Sequence, residues 1–179
     1  MSEEFIQLII CVETNENAKT DYYYIKSILN KYFSVGANKI SFIYMDGKYN
    51  YRNGKVLSKI KERINSFKAS NSGKSYVIYV FDKDNNYINA QDSNFESVII
   101  NYCNDKNYHL VWFVKTIEDV LWGKLVKKQD KLIKAQQFQL KKQIDNVEIS
   151  KLSAKNNVNA RHKSNILTVL NKFTEIKKE

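Results

Sequence analysis

The stretch SYVIYVFDKDNNY, residues 75 to 87, runs a block of apolar and aromatic residues directly into Asp82, Lys83 and Asp84. Side chains alternate faces along an extended chain, so Asp82 and Asp84 can point the same way from the end of a strand. Two carboxylates held close repel each other. They are tolerated together in a solvated turn, since Asp and Asn favour turns through local hydrogen bonds. They are also tolerated as ligands of a hard divalent cation such as Mg²⁺ or Mn²⁺, which is bound through one or two carboxylates and keeps several waters. A third acid closes another apolar run: IICVETNENAKTDYYYI places Glu13 directly after Val12, with Glu16 in the segment that follows. If the two runs are neighbouring strands, Glu13 faces the aspartates, and Glu16 competes with it for that place. Lys83 and Lys115, at the ends of their runs, are positioned to stabilise charge developing on a phosphate. Glu118 and Asp119 fall at the same edge, either completing a second metal site or sitting in the first turn of a helix opened by Thr116.

Other catalytic chemistries have little to work with. His109 opens an apolar run and His162 lies in a polar one, so neither suits a Ser-His-Asp arrangement. Cys11 and Cys103 each fall in an apolar stretch, where a free thiol behaves as a small buried hydrophobe. Two cysteines and two histidines leave a zinc site of the Cys/His kind almost without ligands. No G-x-x-x-x-G-K-[ST] or G-x-G-x-x-G run occurs, so no phosphate-cradling nucleotide loop is expected.

The elements that must position these acids follow from hydrophobic pattern. Segments 5–12, 39–45, 75–81 and 108–115 are nearly continuous in Ile, Val, Tyr and Phe, the composition of strands buried on both faces. Between them, 20–34, 55–67 and 93–102 repeat apolar residues at helical spacing. The order β-α-β-α-β-α-β predicts an α/β fold, a parallel four-stranded sheet between helices joined by right-handed crossovers. Ligands in such sheets bind outside the carboxyl ends of the strands, where the acids fall. Asp46-Gly47 and Asn53-Gly54 leave room for a hairpin with a short extra strand around Tyr49 to Arg52.

With 179 residues and 43% apolar content, the chain has room for one full domain and an appendage. No apolar run approaches the roughly 18 residues that span a bilayer. The best candidate, FIQLIICV, follows Glu3 and Glu4 rather than a basic flank, so no secretory leader is expected and a cytoplasmic protein is. The net charge of +10 is uneven: residues 1–122 carry 15 Lys/Arg against 14 Asp/Glu, and residues 123–179 carry 14 against 5. The division predicts an α/β domain over 1–122 and a basic helical arm over 123–179. A basic arm beside a near-neutral body suits a polyanion, DNA or RNA, although a solvated basic helix has the same composition. Val126, Ile133, Leu140 and Val147 recur at intervals of seven, a narrow stripe for a single partner, either the body or a second copy of the chain. Lys127, Lys128, Lys131 and Lys134 are then left for phosphates. Residues 150–163 read as a connection, and SNILTVLNKF as a final helix capped by Ser164.

A glutamate closing the first strand and Asp-x-Asp closing the third resembles the pattern of the Toprim domain of topoisomerases, bacterial primases and overcoming-lysogenization-defect (OLD) nucleases. ICVE, KTDYYYIKSIL and VIYVFDKDN together are most similar to its RloB-like branch, over residues 5 to about 122. The resemblance implies a Toprim-like, Rossmann-like fold and Mg²⁺- or Mn²⁺-dependent hydrolysis of nucleic-acid phosphodiesters. Glu13, Asp82 and Asp84 would be the catalytic and metal-binding acids, with Glu13 either a ligand or a general base. It further implies a part in bacterial anti-phage defence, with an ATPase partner protein. The family's loop after the glutamate is usually shorter and carries a glycine, where Thr14 stands here, and Asn86 replaces the further acid of topoisomerases. Those departures suit a second expectation, a non-catalytic Toprim-like subunit that holds a partner protein or nucleic acid. Receiver domains need an acidic pair on the first strand, and haloacid-dehalogenase phosphatases place Asp-x-Asp there, so both are excluded by position.

Overall fold

The computed structural model describes residues 5–83 and 90–178. Asp84 lies outside the described residues. Four parallel strands, β1 (Ile6–Val12), β2 (Lys39–Tyr44), β3 (Lys74–Lys83) and β4 (His109–Val114), form one sheet in the order β2-β1-β3-β4. All seven residues of β1 are buried, as a central strand covered by helices on both faces requires. The strand's alternation divides the core. Leu8, Ile10 and Val12 meet Ile78, Val80, Val111 and Phe113 on one face; Ile9 and Cys11 meet Val77, Tyr79, Phe81 and Trp112 on the other.

Helix α1 (Thr20–Tyr32) buries Tyr24, Ile25, Ile28 and Leu29 on the first face. Helices α2 (Gly54–Ser70) and α3 (Ala90–Lys106) cover the second with Val56, Ile60, Phe95 and Ile99. The chain leaves β1 towards β2 by one face and returns past β1 to β3 by the other, as right-handed crossovers dictate. The carboxyl ends of β1 and β3 therefore flank the point where the winding reverses, the crevice where open α/β sheets take ligands.

Two local features depend on backbone geometry. A Cβ on Gly73, just before β3, would lie 1.7 Å from the Phe5 carbonyl oxygen, so only glycine fits there. The hairpin expected over 46–54 is a 3-10 helix, Lys48–Arg52. Asn50 Nδ2 donates to the Met45 and Asp46 carbonyls at 3.0 and 2.8 Å, and the Tyr79 hydroxyl donates to the Tyr51 carbonyl at 2.8 Å; these bonds hold the segment as a turn rather than a strand. Asn53 caps α2, its side chain accepting from the Lys55 amide at 3.0 Å.

After helix α4 (Ile117–Trp122), the chain forms α5 (Lys131–Leu140), a 3-10 turn Gln143–Asn146, α6 (Ile149–Leu152) and α7 (Ile166–Leu170). The helical pattern over 124–147 is interrupted at Lys142, which adopts a left-handed φ of 48°. The seven-spaced stripe is buried only at Val147: Ile133 is 56% and Leu140 80% exposed, while Ala135 and Phe138, off the stripe, are buried. Two residues along a helix turn it by about 200°, so anchoring α5 at Ala135 swings Ile133 outward. The anchor is aromatic, with Phe138 against Tyr24 and Trp122 at centroid distances of 5.1 and 5.4 Å. Residues Ile166, Leu167, Val169, Leu170, Phe173 and Ile176 join the same core as α1. The helix-capping position before α7 is Asn165 rather than Ser164, although Ser164 Oγ does accept from the Ile166 amide at 3.2 Å. Asn165 also closes the β4 edge, accepting from the Trp112 amide at 2.8 Å and donating to the Leu110 carbonyl at 3.1 Å, which removes an exposed strand edge. Among the described residues no helix is long and apolar enough to cross a membrane.

Candidate functional site

The ladder beyond β1 continues for one residue, since the Gly47 amide donates to the Glu13 carbonyl at 2.8 Å. That extension holds Glu13 at the carboxyl edge between β2 and β3. Its Oε1 accepts from the Asp82 amide at 2.7 Å. Asp82 Oδ1 in turn accepts from the amide of Ile117, the first residue of α4, at 2.9 Å. Asp21, in the first turn of α1, closes the intervening loop by accepting from the Thr14 amide at 3.3 Å. Glu118, only 1% exposed, is paired with Lys131 Nζ at 3.2 Å.

Burial pushes the Asp82 carboxyl well above the usual carboxylate range, and the charges of Glu13, Asp21 and Glu118 push it further, against the opposing charge of Lys131. Burial likewise raises Asp21 to about 6, against the Thr14 hydrogen bond, with Glu118 adding to the rise and Lys131 reducing it. Lys131 shows the converse. Burial works against its charge, yet Glu118, Asp82 and Asp21 outweigh that and raise its pKa. The corner thus brings together Glu13, Asp21, Asp82 and Glu118, with Lys131 beside them among the described residues, a concentration of carboxyl groups and hard oxygen donors at the sheet's switch point. Such a concentration attracts a cation. Among the described residues, no three His, Cys, Asp or Glu side chains gather closely enough to hold a metal ion. Glu13 and Asp82 are a pair, and one or two carboxylates are what Mg²⁺ ordinarily takes from a protein beside water and substrate phosphate.

Of the two glutamates that follow β1, Glu13 is the one that meets Asp82, while Glu16 is exposed on the loop. Lys83 points away from Asp82, as adjacent residues on a strand do. It is buried, donating to Glu96 Oε1 at 2.6 Å and to the Val158 carbonyl at 3.0 Å, and so serves as an internal counter-ion on the α3 side rather than as a surface phosphate contact. Lys115 adopts a left-handed φ of 75°, its amide donating to the Lys83 carbonyl at 2.9 Å. Lys127 and Lys128 are exposed, and Lys134 lies 5.7 Å from the Trp122 ring centroid. His109 is wedged among Tyr76 and Phe173, where burial, then Lys172, lowers its pKa.

Thr116 does open α4, its hydroxyl accepting from the Asp119 amide at 3.1 Å. The two acids behind it separate. Glu118 joins the cluster, whereas Asp119 is held by Arg161 at 3.3 Å and His162 Nδ1 at 3.0 Å. Sequence reasoning missed Asp21 and the role of Lys131 in the cluster. An acid in the first turn of the helix after strand one is at the same sheet edge as Glu13, so Asp21 carried a usable signal. The Arg161 and His162 clasp carried none, since 150–163 reads only as a connection. Comparison with protein-family models, with curated proteins and with solved structures finds no match to this chain.

Proposed function

We propose that the protein is a Mg²⁺-dependent nuclease of Toprim type, most similar to the RloB-like and OLD-nuclease branch, acting in the cytoplasm in anti-phage defence. The observation that carries this reading is the meeting of Glu13 and Asp82 at the switch point of a parallel sheet, inside a concentration of carboxyl groups. Glu13 and Asp82 would hold Mg²⁺ or Mn²⁺, with Asp84, outside the described residues, as the third acid. When bound, the ion supplies charge neutralisation at phosphorus and lowers the pKa of attacking water. The chain's own part is positional. The Ile117 amide orients Asp82, the Asp82 amide orients Glu13, and exposed Lys127 and Lys128 offer charge to the strand's phosphates. An ATPase partner belongs to the same reading by family likeness alone.

One observation favours a second reading. Lys131 already neutralises part of the cluster, as expected of a non-catalytic subunit that needs no metal and uses its basic surface to hold nucleic acid. The two separate on one measurement. Asp82→Asn keeps side-chain volume and removes charge, so divalent-dependent cleavage of labelled DNA and RNA oligonucleotides should fall to background, with loss of Mn²⁺ binding by calorimetry. Equal cleavage by mutant and wild type overturns the nuclease reading, and absence of cleavage by the wild type on either nucleic acid supports the binding subunit.

A further inference from the structure

The loop after β1 and the turn between β2 and α2 enclose a cavity of about 440 Å³ whose lining includes Glu16, Asn17, Tyr44, Asp46, Lys55 and Lys59. Its volume lies within the range of small-molecule sites, about 300–1,000 Å³. It adjoins the acid cluster: the Glu13 carbonyl accepts from Gly47 in the wall-forming turn, and Tyr44 lies within the electrostatic reach of both Glu16 and Asp21.

The charges in this cavity are not paired with one another. Lys83 with Glu96 and Asp119 with Arg161 are opposite charges in contact. Among the described residues, Lys55, Lys59, Glu16 and Asp46 make no ion pair and no side-chain hydrogen bond, although both signs share one cavity. A ligand that satisfies all four needs anionic oxygens for the ammonium groups and hydrogen-bond donors for the carboxylates. A phosphate alone fails, because two carboxylates would repel it. A deoxyribose strand supplies no internal hydroxyl. A ribonucleotide supplies both, and its 2′-hydroxyl is the group by which a protein tells RNA from DNA. Tyr44 offers an aromatic face for a base to stack on, and the Asn17 amide both donates and accepts towards a base edge.

We propose that this cavity seats one ribonucleotide of a single-stranded RNA substrate beside the acid cluster, with Lys55 and Lys59 on its phosphate and Glu16 and Asp46 accepting from its ribose 2′-hydroxyl and from an amino group of its base. The proposal rests on the nuclease reading for the word substrate, and its binding chemistry is testable without catalysis. The experiment is fluorescence anisotropy in EDTA, with a labelled single-stranded RNA and a DNA of the same base sequence. Wild type, the Lys55→Gln/Lys59→Gln pair and the Glu16→Gln/Asp46→Asn pair are compared; the last keeps a side chain that tolerates the left-handed φ of 57° at Asp46.

Wild type should bind RNA about 10-fold more tightly than DNA, the scale of one hydrogen bond to a charged group. The lysine pair should weaken both nucleic acids, and the acid pair should erase the RNA preference while leaving DNA affinity equal or improved. Equal wild-type affinity for RNA and DNA overturns the proposal, as does an acid-pair variant that keeps the preference. Cleavage by wild type and Asp82→Asn is scored separately. Asp82-dependent cleavage without an RNA preference removes the cavity proposal and spares the nuclease. An RNA preference that the acid pair erases, with no Asp82-dependent cleavage, spares the cavity and removes the nuclease.

Discussion

Glu118 and Asp119 are consecutive residues of one short helix, both almost completely buried, and the fold treats them in opposite ways. Asp119 is matched: Arg161 reaches both of its oxygens, at 3.3 and 3.5 Å, and His162 adds a third contact. Glu118 is under-matched, since Lys131, its cation among the described residues, also serves Asp82 and Asp21. A buried carboxylate with its own partners is a fastening, here tying the segment around Arg161 to the end of the sheet. A buried carboxylate that shares a counter-ion with two others is destabilised by like charge and so is poised to receive a further cation. Natural folds accept such destabilisation where function needs it.

The largest effect that tests this contrast is expected at the fastening. Arg161→Met leaves Asp119 buried without its guanidinium and should cost about 3 kcal/mol of unfolding free energy in urea titrations. Asp119→Asn should cost less, about 1–2 kcal/mol, because the abandoned Arg161 side chain is 58% exposed and rehydrates. A neutral Arg161→Met would end the claim that this cluster is structural.

The under-matched cluster should respond with the opposite sign. Asp82→Asn removes a buried carboxyl whose charged form burial and the neighbouring acids disfavour, and should stabilise the metal-free fold at pH 7 by about 1 kcal/mol, while abolishing divalent-dependent cleavage. If thermal melts show Asp82→Asn to be destabilising, the crowding of carboxyls is not a strain on the fold and the contrast fails.

Stability should also depend on pH through Asp21, whose folded-state pKa is raised to about 6. The folded state binds that proton more tightly than the unfolded chain, whose Asp titrates near ~3.9. Stability is therefore gained as pH falls from about 6 towards that value, and lost as pH rises through 6. Denaturant midpoints across this window should rise towards acid in the wild type and lie flatter in Asp21→Asn. Saturating Mg²⁺ should move the wild-type window to lower pH, since a bound cation favours the charged carboxylates.

The smallest effect concerns the tail lysines. Lys127 and Lys128 are exposed, whereas Lys131 and Lys134 are committed to Glu118 and the Trp122 face. Lys127→Gln together with Lys128→Gln should lower the salt slope of nucleic-acid binding by about 2, about 1 for each lost phosphate contact. Lys134→Gln should change it little. Equal effects from all the lysines would mean that the matched and unmatched positions are not distinguished in solution.

Much of the scaffold was legible because it is written in local pattern. The near-continuous apolar runs mark strands buried on both faces, and the observed strands fall within one to two residues of them at most ends. Thr116 announced a helix start by type and position, and its hydroxyl caps α4. The neighbouring of the first and third strands, which a β-α-β order permits but does not require, is what brought Glu13 rather than Glu16 to Asp82. The tail misled for a physical reason. A seven-residue interval in a short segment fits a helix face, but burial of Phe138 against Tyr24 and Trp122 outweighed it and turned Ile133 and Leu140 to solvent.

From the sequence alone followed the parallel α/β scaffold, the sheet edge at which its acids gather and the basic bias of the last third, because periodicity and composition depend on residues only a few positions apart. The pairing of charges was decided by the tertiary structure alone. Asp82 meets Glu13 across 69 residues of chain, Asp119 meets Arg161 across 42, and Lys83 is turned inward to Glu96. Whether a carboxylate is neutralised, shared or left in surplus depends on distances of a few ångströms that crossovers and packing set, and no local spacing encodes them.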